Sequence, residues 1–223
     1  GADARLWLIG DLVGNGPDGI AVLDALMRLQ GEAARAGGAV TALLGNHDAL
    51  LLAAARLGDA PAGDGRSLRD EWRASGGQER DLARLSHQHI RWLQRMPAAA
   101  RSGDYLLTHA DSAAYRDYGE SPGVAAAACE LIVRGDDPRA WRRLLDALGA
   151  HRAFWGEGGA ERAGDLLRRL GGRQIVHGHT PIAKLTGQPD AAVAGPLIYA
   201  DGLCLNVDGG IYRGGPGFVH QLS

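Results

Sequence analysis

Ala39-Val40-Thr41-Ala42-Leu43-Leu44-Gly45-Asn46-His47-Asp48 is an apolar run of strand length that stops at a glycine and then at three residues able to bind metal or move protons. The run predicts a buried strand over 39–44, and the pattern from about Ala49 to Leu57 predicts a helix after it. The same layout stands upstream. Leu6-Trp7-Leu8-Ile9 ends at Gly10-Asp11, and a loop through Gly14, Gly16, Pro17 and Gly19 carries turn chemistry. Ile20, Val22, Leu23, Leu26 and Met27 then recur at helical spacing. The layout returns where Tyr105-Leu106-Leu107-Thr108 meets His109 and where Gln174-Ile175-Val176-His177 meets Gly178-His179. α/β enzymes build their sites at the ends of strands that alternate with helices. The fold class read here is therefore α/β, and the four strand ends point to one shared metal centre.

Between these strands the chain changes character. From Gly58 to Ser67 it is rich in Gly, Asp, Pro and Arg, which marks a loop. A helical stretch on Trp72, Leu82, Leu85, Ile90, Leu93 and Met96 follows. This predicts a helical cap or insertion over about 58–100 within a single domain spanning 1–223. Further helices are expected at about Val124 to Val133, Pro138 to Leu148 and Glu161 to Leu170, with Pro138 suited to a first helical turn. Short strands are expected near Leu197 to Tyr199, Leu203 to Val207 and Phe218 to Gln221.

Composition bounds the function. With 223 residues, 45% of them hydrophobic, the chain can bury a sizeable core. A formal net charge of -2 gives no electrostatic reason to expect nucleic acid or an acidic membrane as partner. Cys129 and Cys204 are too few and too far apart for a disulfide framework or a CxxC zinc site, so reduced structural thiols are expected. No apolar run approaches the roughly 20 residues of a membrane span, and no charged-then-apolar leader opens the sequence, which predicts a soluble, cytoplasmic protein.

The candidate ligands form a consistent chemical set. A carboxylate at Asp11 can bridge two divalent cations through its two oxygens. The amide oxygen of Asn46 ligates a hard cation without adding charge, and His47 beside it can donate a proton to a leaving alkoxide. At Gly178-His179, strand alternation alone does not choose between His177 and His179. His179 is preferred because it lies past the strand end, and His177 is assigned a supporting or structural role. Asp11, Asn46, His109 and His179 together offer oxygen and nitrogen without thiolate. Such a set suits divalent transition metals, with manganese the first expectation and iron, zinc, cobalt or nickel compatible.

Leu6 to Val13 with Gly16-Pro17, Leu44-Gly45-Asn46-His47-Asp48, Thr108-His109-Ala110, His177-Gly178-His179-Thr180-Pro181 and Leu205-Asn206-Val207-Asp208-Gly209-Gly210 together resemble the calcineurin-like metallophosphoesterases. The resemblance is to the phosphoprotein-phosphatase branch, which includes bacterial diadenosine tetraphosphatases. It implies a β-sandwich flanked by helices, Asp11 bridging two metals, and Asn46, His109 and His179 completing the coordination of one of them. It also implies His47 as general acid and attack on phosphorus by a metal-bridging hydroxide. The implied substrates are phosphomonoesters, phosphoproteins or dinucleoside polyphosphates, so the partner is a phosphorylated small molecule, a dinucleotide or a phosphoprotein.

Two departures from the family pattern qualify the resemblance. The family opens with Gly-Asp-x-His-Gly, expected about 25 to 35 residues before Asp11 from the length of a βα unit, and the sequence read here starts at Gly1. Asn15 stands where relatives usually carry Arg or Lys. It can hydrogen-bond a phosphate oxygen without supplying positive charge, and Arg116, Arg152 and Arg213 are alternative anchors. The rival reading is a degenerate phosphoesterase fold that binds or regulates without turnover.

Overall fold

Parallel pairing of β1 (Arg5–Leu8) with β2 (Ala39–Ala42) follows from the helix between them, α1 (Gly19–Arg35), because parallel neighbours need a crossover of this kind. The computed structural model describes residues 3–62 and 65–222, so Gly63 and Asp64 of the expected Gly58 to Ser67 loop lie outside the described residues. The chain divides into two compact units, Gly1–Pro97 with Cys129–Asp146, and Ala98–Ala128 with Ala147–Ser223.

In the first unit the β1–β2 register sets Trp7 against Thr41 and Leu8 against Ala42, and Leu43 N–H donates onward to Leu8 O. β1 is half-buried rather than buried, with Leu6 37% exposed. Asp18 caps α1 by accepting from Ala21 N–H, and Ile20 and Leu23 form its buried face while Val22 points to solvent. The next helix, α2 (Asn46–Leu57), starts three residues earlier than its periodicity suggests. Gly45 ends the strand, and Asn46, His47 and Asp48 form the helix's first turn. Leu50, Leu51, Leu52, Ala53 and Ala54 are all buried, as in a helix enclosed on every side.

The segment expected to form a cap contains three short helices, α3 (Leu68–Ala74), α4 (Glu79–Arg84) and α5 (His87–Leu93). α3 ends before Gly76, which takes φ 90, and only a glycine fits next, since a Cβ on Gly77 would lie 2.2 Å from the Trp72 ring. These helices fasten the loop after β1. Gln78 Nε2 donates to Gly14 O and Gly16 O, Arg80 donates to Pro17 O, and Arg84 pairs with Asp18 at 2.8 Å. Trp92 Nε1 and the Val40 carbonyl are joined through Gln30 on α1. Two further helices, α6 (Pro122–Arg134) and α7 (Pro138–Leu148), each contribute residues to both units.

The second unit holds β3 (Ala99–Ser102), β4 (Tyr105–Thr108), α8 (Gly159–Leu170), β5 (Gln174–His177), α9 (Ile182–Thr186), β6 (Leu197–Tyr199) and β7 (Cys204–Asn206). The strand order is β3-β4-β5-β7-β6, parallel in the middle and antiparallel at both edges. β3 falls where the cap was expected to end. Its alanines carry no strand signature, and its pairing with β4 through Gly103 is what makes it a strand. The strand expected at Phe218 to Gln221 does not form. Phe218 packs instead against the cluster of Ile182, Ala183 and Val193, so its apolar character serves packing rather than a ladder.

Trp141 is fully buried, and its Nε1 donates to Gly135 O at 3.0 Å. Trp141→Ala should lower unfolding free energy by about 3–5 kcal/mol, read as a shift of the urea midpoint.

Candidate functional site

In the first unit two strand ends are tied together by one side chain. The fully buried carboxylate of Asp48 accepts three backbone N–H groups, from Asp11 and Gly45 on Oδ2 and from Leu12 on Oδ1, each at 2.9 Å. Asp11 Oδ1 in turn accepts from His47 N–H at 3.1 Å. Burial first and the neighbouring Asp11 charge second push the Asp48 carboxyl up, and the three N–H donors oppose that shift. Gly45 has no alternative here, because a Cβ would stand 2.3 Å from both the backbone nitrogen and Oδ1 of Asp11. Asp11 itself sits at φ 56, a left-handed conformation uncommon for a residue with a side chain. Asp11, Asn46 and His47 are thus brought together within this unit.

His47 is half-buried, and Gly14 closes against its ring: a Cβ at Gly14 would lie 2.7 Å from His47 Nδ1. Asn15 is exposed and abuts the turn between α3 and α4, with the space a Cβ would fill at Gly76 only 2.6 Å from its Oδ1.

The second unit places His109 and His179 with ring centroids 5.0 Å apart. Their strand ends are joined directly, since Gly178 N–H donates to His109 O at 2.9 Å. His179, at φ 65, donates Nε2–H to Gly149 O at 3.1 Å. His151 stacks on His179 with ring centroids 5.5 Å apart and Nδ1 3.4 Å from His179 Nε2. Partial burial, then the charges of His179, Lys184 and Arg152, hold His151 below the usual imidazole range.

Behind these rings lies a buried polar chain. Tyr199 Oη is 2.6 Å from Asp111 Oδ2 and 2.7 Å from His177 Nε2, and Asp111 Oδ1 accepts from Phe154 N–H at 2.7 Å. Burial lowers the His177 pKa, with Asp111 opposing, and burial then Asp111 raise the Tyr199 phenol far above its ordinary value. Cys129 and Cys204 are free and buried, and burial pushes the Cys129 thiol up to about 12.

Of the alternative anchors, Arg213 pairs with Asp190 at 2.8 Å, Arg152 donates to Lys184 O, and Arg116 lies 3.7 Å from Asp117. Sequence reasoning assigned no role to Asp48, Asp111, Tyr199 or His151. The two carboxylates had a signal, since Asp48 closes the run Gly45-Asn46-His47-Asp48 and Asp111 lies two residues past His109. Tyr199 had none.

The sequence profile of the calcineurin-like phosphoesterases matches residues 2–183. The chain belongs to that family. Among relatives, it is 36% identical over 141 residues to a symmetrical bis(5'-nucleosyl)-tetraphosphatase of Nitrosomonas europaea, covering 63% of this chain and 46% of that protein. It is 31% identical over 156 residues to the protein of that name from Dechloromonas aromatica, covering 70% and 50%. The chain therefore spans about half the length of the curated relatives it matches. The cold-active protein-tyrosine phosphatase of a psychrophilic Shewanella superposes with a TM-score of 0.68 at 19% identity, covering 97% of this chain and 63% of that one, which shows a shared metallophosphoesterase fold. The expected α/β metallophosphoesterase fold is thereby borne out.

Two outcomes follow from the first-unit geometry. Asp48→Asn turns an amide N–H toward a backbone N–H and should cost about 1–3 kcal/mol of stability, read by thermal unfolding. Gly14→Ala, at φ 106, should displace the His47 ring, visible as altered His47 imidazole chemical shifts in NMR.

Proposed function

We propose that this chain is the metal-binding part of a phosphoesterase that hydrolyses phosphoester or phosphoanhydride bonds. Asp11, Asn46, His109 and His179 would hold a divalent transition metal ion, with manganese the first candidate. The observation that carries this reading is backbone strain at the expected ligands. Asp11 and His179 are non-glycine residues in the left-handed region, and such conformations persist where the surrounding structure over-determines a functional geometry. The donor chemistry fits, being carboxylate and amide oxygen together with imidazole nitrogen. His179 has the carbonyl-bound back nitrogen usual for a ligating histidine. When bound, the ion would supply activated water at neutral pH and offset charge on the phosphoryl oxygens.

The residues of the chain would do the rest. His47 would donate its proton to the leaving oxygen, its backbone held to Asp11 and its ring bounded by Gly14. Dinucleoside polyphosphates are the first substrate class to test, because the Nitrosomonas and Dechloromonas relatives carry that activity in their names. Phosphomonoesters and phosphoproteins follow. Among the described residues no helix is long and apolar enough to cross a membrane, and a cytoplasmic setting is part of the proposal.

The exposed Asn15, in place of a basic anchor, favours the second reading of binding without turnover. The intact protein should hydrolyse p-nitrophenyl phosphate and diadenosine tetraphosphate with added manganese, and His47→Ala should lower kcat about 10²–10⁴-fold. Chelation should abolish the activity and manganese restore it. Turnover that survives rigorous metal stripping would sink the mechanism, and tight manganese binding with no turnover of either substrate would favour the binding module.

A further inference from the structure

The mechanism above leaves unused the buried chain Asp111–Tyr199–His177. Asp111 follows His109 by two residues, and His177 precedes His179 by two. Tyr199 on β6 is 88 residues from Asp111 in sequence and 22 from His177, yet its hydroxyl meets both at 2.6 and 2.7 Å. Asp111 and His177 are each fully buried. We infer that Tyr199 is a positioning residue for the metal ligands: its hydroxyl bridges Asp111 and His177 and so fixes the two strand ends that aim His109 and His179. The inference rests on the reading that these two histidines bind metal.

Stereochemistry supports the assignment. A hydroxyl has one proton and two lone pairs, so a single Tyr199 Oη satisfies a carboxylate oxygen and a ring nitrogen at once. The phenol keeps its proton, because burial and the Asp111 charge oppose its loss. The bridge is anchored on both sides. Asp111 also accepts from Phe154 N–H, two residues past Arg152 in the turn that follows His151, and its own carbonyl accepts from Ala153 N–H. Gly178, the residue after His177, donates its N–H to His109 O. The left-handed backbone of His179 begins one residue beyond that knot, and such a conformation needs a neighbourhood that enforces it. The Tyr199 ring also packs on Trp155, with centroids 5.3 Å apart, so a phenylalanine there keeps the packing and loses only the bridge.

The test is manganese(II) affinity of the intact protein, measured by EPR of the free ion, for Tyr199→Phe and, at the other end of the bridge, His177→Phe. Both should bind manganese about 10–100-fold more weakly than wild type, the usual effect of losing a group that orients ligands. Val193→Ala, in the apolar cluster beside α9, serves as a control destabilised without touching the bridge, and its manganese affinity should be unchanged. Wild-type affinity in Tyr199→Phe or His177→Phe, alongside loss of binding in His109→Ala, overturns the positioning role alone. Equal weakening in Val193→Ala overturns it too, because general destabilisation then accounts for the effect. Wild-type affinity in His109→Ala overturns the underlying metal assignment.

Discussion

The Asp48 carboxylate is the constraint on which the first unit's site depends. Three N–H groups, from Asp11, Leu12 and Gly45, converge on its two oxygens. An ionised carboxylate is an acceptor-only group with several lone pairs, so it can gather donors from two chain segments that no regular secondary structure would pair. Water-exposed, such a cluster would contribute little. Fully buried, each bond is expensive to break, since the released N–H has nowhere else to go. The consequence is that the loop after β1 and the first turn of α2 behave as one piece, with Asp11, Asn46 and His47 on it.

The second unit solves the same problem with different groups. Here the strand ends of β4 and β5 are joined by a backbone bond from Gly178 to His109 and by the Tyr199 hydroxyl between Asp111 and His177. In both units a buried acid within two residues of a candidate ligand does the tying, and a candidate ligand carries a left-handed backbone. The proposed phosphoester hydrolysis makes sense of this repetition, because phosphoryl transfer relies on positioning and charge stabilisation more than on covalent chemistry by the protein.

Much of the architecture was legible because its signals are local. The apolar runs before Asp11, Gly45, His109 and Gly178 mark β1, β2, β4 and β5, and the helical spacing of residues 138–148 matches α7 at both ends. Signals failed where neighbours in space overrode them. Two alanines, an arginine and a serine form β3 only by pairing with β4, and Phe218 packs beside α9 rather than in a sheet. The helical stretch expected on Trp72 to Met96 is interrupted after Ala74, where Gly76 takes φ 90 and Gly77 passes the Trp72 ring closely.

The sequence by itself determined the α/β rhythm, the family and the candidate ligand residues, since periodicity, turn glycines and short motifs are written within a few residues of one another. Tertiary structure alone decided what holds those donors in place. Asp48 reaches back 37 residues to Asp11, and Tyr199 reaches 88 to Asp111. A hydrogen bond across such separations leaves no periodic trace, because its partners are chosen by where packing brings two strand ends and not by spacing along the chain.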